Sequence, residues 1–248
     1  MDSKVAQKLI ELNQQFYQTF AEHFSVTRQR LQPGVQKVIQ KILPDQQILD
    51  LGCGNGQLWL GLAGQGHFGG YIGLDSNSAF LNQAAKAAYL NSNLTPATQN
   101  PLFILADLST QGWDSILPGT AFDHILSFAT LHHLPGKLLV TQFLNQVHRL
   151  LGSNGHFIFS VWQFLNSPRL NARIQDWNTV GLSEDQVDPG DYLLDWRYGG
   201  HGLRYVHHYT QKELLEIAEV CGFRIYDSFL SDGKGNNLSL YQDWVLAL

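Results

Sequence analysis

Apolar and polar positions along this chain change their period four times. From Lys4 to Leu43 the apolar residues recur at helical spacing, with a break near Pro33-Gly34, which predicts a helical extension over residues 1–43. From Gln47 to Trp162 short, mostly apolar runs alternate with segments of helical period. Such runs suit strands covered on both faces, and the alternation implies a parallel sheet with right-handed crossovers. The runs are Ile48 to Leu51, Tyr71 to Asp75, Leu102 to Leu108, Phe122 to Phe128 and Gly155 to Val161. Leu58, Trp59, Leu60 and Leu62 begin the first crossover helix; Leu138 to Leu151 form a later one, with Gly152 read as its C-cap. From Gln163 to Tyr205 the pattern dissolves into Trp, Asp, Gly and Asn. That is too long for an ordinary connection, so residues 163–209 read as a functional insertion. Helical period returns from Thr210 to Cys221, with Thr210 and Glu213 spaced as a capping box and Gly222 as terminator. Phe223 to Leu230 and Leu238 to Leu246 then read as strands around the turn Asp232-Gly233-Lys234-Gly235.

Candidate chemistry sits at the ends of the strands. Ile48-Leu49-Asp50-Leu51-Gly52-Cys53-Gly54-Asn55-Gly56 is a strand that runs into glycines at alternate positions. Strand, glycine turn and helix is the arrangement by which α/β sheets hold a nucleotide against bare backbone. No Lys follows Gly54 or Gly56, which disfavours a P-loop, and Gln57 stands where a dinucleotide fingerprint has its last glycine. The loop is therefore read as binding a nucleoside without a pyrophosphate. Asp75 ends the second strand, where an acid can accept from both hydroxyls of a ribose. The alternative is that it caps the next helix together with Ser76 or Asn77, but the loop and the acid occurring together favour the ribose. Asp107 stands at the end of the third run, as a ligand or a turn cap, and Phe128 ends the fourth. His132 and His133 follow; adjacent histidines on a helix point different ways and make no bidentate metal site. They read as shaping the loop, with contact to a substrate by one of them as the other option.

These motifs resemble class I S-adenosylmethionine-dependent methyltransferases, whose loop runs D/E-x-G-x-G-x-G and in which a strand followed by L-H-H-L, here Leu131 to Leu134, is common. The resemblance implies one α/β domain with a Rossmann-like, seven-stranded, mostly parallel sheet, the last strand antiparallel. It implies S-adenosylmethionine as cofactor, S-adenosylhomocysteine as product, and no metal. By position, Asp50, Gly52, Cys53, Gly54, Asp75 and Ser76 would hold the cofactor. Asp107 would accept from the adenine amino group, the Leu108 N–H would meet the ring, and Phe128 would border the methionine part. Arg28, with Tyr17 beside it, would take the cofactor carboxylate.

Three further segments narrow the likeness: Tyr17 to Arg28, Gly190 to Trp196, and Leu203 to Tyr209. They resemble the eukaryotic tRNA wobble-uridine methyltransferases, which esterify 5-carboxymethyluridine and run Y-x-x-x-A-x-H-F-S-x-T-R, G-D-x-x-V-P-W and R-Y-Y-H-x-F. Tyr17, His23, Phe24, Arg28, Asp191, Trp196, Arg204, Tyr205 and His207 match; Asp195 replaces a proline and Val206 a tyrosine. The resemblance implies a methyl acceptor contacted by Asp191, Trp196, Arg204, Tyr205 and His207, and a small activator subunit as partner. A carboxylate nucleophile is already ionised at neutral pH and needs a cation to orient it, for which Arg204 and Arg28 are candidates. A hydroxyl or amine would need a base, for which His207 or His208 stands ready. Arg204 could instead pair with Asp191 or Asp195, and Trp196 and Tyr205 could simply pack.

Composition adds limits. Length 248 suits one α/β domain with insertions, and no apolar run is long enough to span a bilayer. Two cysteines far apart, Cys53 and Cys221, give no disulfide or zinc framework, which fits a cytoplasmic setting. Net charge of −5 supplies no global attraction to nucleic acid. A small-molecule O- or N-methyltransferase, and a cofactor-binding subunit without catalysis, therefore stand beside the tRNA reading.

Overall fold

The computed structural model describes residues 1–27, 29–91, 100–119 and 121–247. Seven strands form one sheet: β1 (Ile48–Leu51), β2 (Tyr71–Asp75), β3 (Leu102–Leu105), β4 (Phe122–Phe128), β5 (Leu151–Trp162), β9 (Phe223–Ser231) and β10 (Ser239–Leu246). Their order is β3-β2-β1-β4-β5-β10-β9. The first five strands pair in parallel, and β10 is antiparallel to both neighbours. The order reverses between β1 and β4, which opens the crevice at the strand ends where ligands bind in such sheets. Helices α3 (Gln57–Gly64), α4 (Ser78–Leu90), α5 (Lys137–Leu150) and α7 (Gln211–Val220) connect the strands.

β1 is buried along its whole length, and its side chains divide by parity. Leu49 and Leu51 join Phe143, Phe157, Phe159 and Leu214 on one face. Ile48 joins Trp59, Leu62, Leu126 and Tyr241 on the other. This two-sided core fixes the register that sets Asp50, Asp75 and Phe128 at one edge of the sheet.

The N-terminal extension forms α1 (Ser3–Thr27) and α2 (Pro33–Ile39), with Pro33 at the helix start. On α1 the buried Val5, Leu9, Asn13, Phe16 and Phe20 recur at three- and four-residue steps. That stripe lies on the insertion, packing with Leu193 and Tyr205. The insertion is not the structureless stretch that its composition implies. It carries α6 (Pro168–Asn171) and a second, antiparallel sheet of β6 (Ile174–Gln175), β7 (Asp191–Trp196) and β8 (Gly202–His207). Its strands are short and half-polar, so apolar alternation was too weak to register.

Two other expectations are corrected. α5 does not end in a cap at Gly152: Leu151 is already extended and β5 begins there, so Gly152 is a strand residue. Thr210 caps α7 by accepting from the Glu213 N–H, but the Glu213 side chain turns to His207 instead of closing the box. Among the described residues no helix is long and apolar enough to cross a membrane.

Candidate active site

The glycine loop turns back over β2. Gly52 and Cys53 both donate backbone N–H groups to the Leu74 carbonyl, at 2.8 and 2.9 Å. Gly52 has φ +82°, and a Cβ there would sit 2.2 Å from Thr130 Oγ1, so no larger residue fits. Gly54 has φ +54° and nothing within 4 Å of where a Cβ would be. Its bare backbone faces a cavity of about 820 Å³, the size range of sites for small ligands.

Asp75 fastens this loop. Its Oδ2 accepts from Gly54 N–H and its Oδ1 from Asn77 N–H, both at 2.9 Å. The helix cap is Asn77, whose Oδ1 accepts from Ala79 and Phe80, so Asp75 is not needed there. Each carboxylate oxygen keeps further acceptor capacity, which suits a vicinal diol. Burial pushes the Asp75 carboxyl up to about 6, against hydrogen bonds from Asn77, Gly54 and Ser76. Asp50 lies behind the loop and accepts from the Tyr71 hydroxyl; burial pushes it up to about 7.

Asp107 follows β3 by two residues and serves its own turn as well as the cavity wall. Its Oδ1 accepts from Ser109 N–H and Oγ, and its Oδ2 accepts from Gln14 Nε2 at 2.9 Å. Gly52, Cys53, Ser76, Leu108, Phe128 and Tyr17 line the same cavity. Arg28 lies outside the described residues. The Cys53 thiol is buried and pushed well above its ordinary range, by burial first and then by Asp50 and Asp75, so it is no nucleophile.

Arg204 also lines the cavity, although only 3% exposed. Its guanidinium lies over Trp162 at 4.5 Å, with Phe16 at 5.2 Å and Trp196 at 5.5 Å. It does not serve the acids of the insertion: Asp195 pairs with Arg197 at 2.6 Å, and Asp191 with His207. Arg30, Arg169, Arg173 and Arg197 line the cavity too. The sequence holds eight arginines and eight lysines, yet among the described residues this wall draws on five arginines and no lysine.

Asp191, Tyr205 and His207 are not where the motif likeness implies. Alternation along β8 sends Tyr205 and His207 to the face opposite Arg204. There, Asp191 Oδ1 accepts from the Tyr205 hydroxyl at 2.7 Å and from His207 Nδ1 at 2.6 Å, while His207 Nε2 donates to Glu213 at 3.0 Å. Burial alone would lower the His207 pKa, but its hydrogen bonds to Asp191 and Glu213 raise it to about 9. A buried imidazolium between two carboxylates holds the insertion to α7; it is neither a base nor an acceptor ligand. Those assignments are corrected because none of the three lines the cavity, nor does His208, whose ring packs on Phe164. Trp196 does reach the cavity. His132 is fully buried and stacked on Trp162, while His133 lines the cavity.

Several wall residues carried no motif signal. Ser160 and Tyr241 face each other across the β5–β10 pair, and the Tyr241 hydroxyl donates to Asp232 Oδ2 at 2.7 Å. Asn13 was legible only as a polar residue at an apolar position of the α1 stripe.

A family profile described as a methyltransferase domain matches residues 20–228. The chain belongs to that family. The methyltransferase is 27% identical over 214 residues to an Encephalitozoon cuniculi protein described as a methyltransferase, covering 86% of this chain and 87% of that one. It is 26% identical over 236 residues to the tRNA (carboxymethyluridine(34)-5-O)-methyltransferase of Schizosaccharomyces pombe, covering 86% and 89%. Its fold matches a SAM-dependent methyltransferase of Methanosarcina mazei with a TM-score of 0.66 and 22% identity, over 88% of this chain and 99% of that one.

The cavity fits S-adenosylmethionine. An open glycine backbone, an acid with acceptor capacity to spare at Asp75, a second acid at Asp107 and the ring of Phe128 line its wall.

Proposed function

We propose that this methyltransferase esterifies a carboxylate on an anionic acceptor, and that the acceptor is a carboxymethylated wobble uridine in tRNA. The arginine wall carries this reading. A chain of net charge −5 gathers five of its described arginines at one cavity, and a planar guanidinium is the side chain that grips a carboxylate or phosphate with two parallel hydrogen bonds. The likeness to the fission-yeast enzyme supports the choice of nucleoside.

The bound cofactor supplies a methyl group on a sulfonium. Asp75 and the glycine loop would hold the ribose, Asp107 and Leu108 the adenine, and Tyr17, Phe128 and Arg28 the methionine end. Arg204, its plane set by Trp162, would orient the acceptor carboxylate behind the methyl carbon. A carboxylate is ionised at neutral pH, so positioning supplies the acceleration and no base is required. Trp196 offers a ring on which a base can stack.

The test is incubation with methyl-tritiated S-adenosylmethionine and total tRNA from a strain lacking the protein. Label in a wobble nucleoside, released by mild alkali, supports the ester. Alkali-stable label, or label only in small molecules, overturns it. Activity that appears only on adding an activator subunit would keep the acceptor and add the partner.

A further inference from the structure

The cavity wall carries more positive charge than one carboxylate uses. Arg204 is buried, and β8 keeps it at a fixed depth. Asn13 clamps the next peptide, accepting from the Tyr205 N–H at 2.8 Å and donating to its carbonyl at 3.1 Å, and His133 Nδ1 lies 3.0 Å from the same carbonyl. Arg169, Arg173 and Arg197 also come from the insertion and line the same cavity, but from more open positions. Among the described residues no acid lies within ion-pair reach of Arg169 or Arg173. The chain has 21 acidic residues with which to neutralise them. Like charges gathered without partners repel, which destabilises the fold, so these arginines are kept for a ligand.

Arg197 is aimed by a neighbour. Asp195 is 2% exposed; its Oδ2 accepts from Arg197 Nε at 2.6 Å, and its Oδ1 has no hydrogen-bond partner among the described residues. The Asp195 N–H donates to the Arg173 carbonyl at 3.0 Å, so one residue links Arg173 to Arg197. With Nε engaged, the two terminal nitrogens of Arg197 form the open end of its fork, on a side chain 60% exposed. Such a fork suits the two unbridged oxygens of a phosphodiester. Asp195 replaces the proline of the wobble-uridine pattern, so the pair departs from that pattern.

We infer that Arg169, Arg173 and Arg197 form a phosphate subsite at the cavity mouth, that it takes the phosphodiester beside the acceptor nucleotide in single-stranded RNA, and that Asp195 is the residue positioning Arg197. The inference rests on the reading of the acceptor as an RNA nucleotide. Arg204 then serves the reacting carboxylate alone. A base drawn in beside Trp196 leaves its backbone outside, where its phosphates meet the insertion. The difference in depth between Arg204 and Arg197 separates a nucleotide within a chain from a free acid, which offers charge at the deep position only.

The test is binding of an unmodified uridine pentanucleotide to the full chain saturated with S-adenosylhomocysteine, read by fluorescence anisotropy across a salt series. No methyl group moves, so absence of an ester in the tritium assay strikes the acceptor and leaves this result standing. Log affinity should fall against log salt with a slope of about −2 for three charges on a single strand. Arg173→Gln and Arg197→Gln should each weaken binding about three- to tenfold and flatten the slope by about 0.7. Asp195→Asn separates aim from charge. Removing a negative charge near a polyanion would by itself tighten binding; losing the hold on Arg197 should weaken it about threefold. Arg197→Lys keeps the charge and loses the fork, so the slope should hold while affinity falls. A pentanucleotide that does not bind, a flat slope, wild-type affinity in both glutamine variants, or tighter binding by Asp195→Asn overturns the inference. Displacement by inorganic phosphate at equal phosphate concentration also overturns it, in favour of a site for free phosphate.

Discussion

Protonating Asp75 should weaken S-adenosylmethionine binding by an amount that its surroundings set. The carboxyl is pushed up to about 6 by burial. A ribose diol would add two hydrogen bonds that favour the carboxylate, so the bound pKa lies below the free one. Affinity is then full above the free value and declines as pH falls through it. With a free value of about 6, the protonated form outweighs the ionised one about tenfold at pH 5, so Kd should rise about tenfold from pH 8 to pH 5. Asp50 titrates nearby, at about 7, so the wild-type slope alone does not assign the group. The difference between wild type and Asp75→Asn does. The variant should bind about 1–3 kcal/mol more weakly at pH 8, and the Asp75 part of its slope should vanish. The assay is calorimetry from pH 5 to 8 in buffers of different ionisation heat, which also counts protons released. The same slope in both proteins, or a flat wild-type profile, refutes the reasoning.

Arg204→Lys keeps a cation but loses the planar fork that lies over Trp162 at 4.5 Å. Turnover should fall at least tenfold while calorimetric affinity for S-adenosylmethionine holds; a matching loss of cofactor affinity would move Arg204 to the other side of the site. His207→Ala leaves Asp191 buried without its cation and should cost about 3 kcal/mol in denaturant unfolding, with activity per folded molecule retained. His207 is raised from 6.5 to about 9, so its contribution is complete below pH 6.5 and lost as pH rises through 9. The wild-type melting temperature should therefore drop between pH 7 and 9.5 more than that of His207→Gln. Gly34→Ala would place a Cβ 2.2 Å from Tyr241 Cε2. That ring is held by Phe229 and Asp232, so about 1–3 kcal/mol of stability should be lost, read by urea unfolding.

The seven-stranded frame was legible because parallel strands are covered on both faces and write largely apolar runs, as Ile48 to Leu51 does on either side of Asp50. The glycine loop was legible because positive φ at Gly52 and Gly54 leaves few other residues possible. What escaped was the insertion sheet, whose β6 has only two residues and whose β7 buries acids at Asp191 and Asp195. Motif likeness put Tyr205 and His207 beside Arg204. Strand alternation, which needs the strand itself to be recognised first, puts them on opposite faces. The arginine wall was invisible for a different reason: Arg30, Arg169, Arg173, Arg197 and Arg204 span 175 positions of sequence and meet only in the folded chain.

The Tyr205 clamp bears on how this enzyme can change. Asn13 and His133 grip the peptide N–H and carbonyl, which every residue but proline presents in the same place. β8 can thus drift in side chains while staying in register with α1 and the cavity wall. α1, the turn after β4 and β8 are joined through the backbone of a single residue. A library varied across the β7–β8 hairpin, with proline barred at position 205, is the natural starting point for redirecting the enzyme to other acceptors.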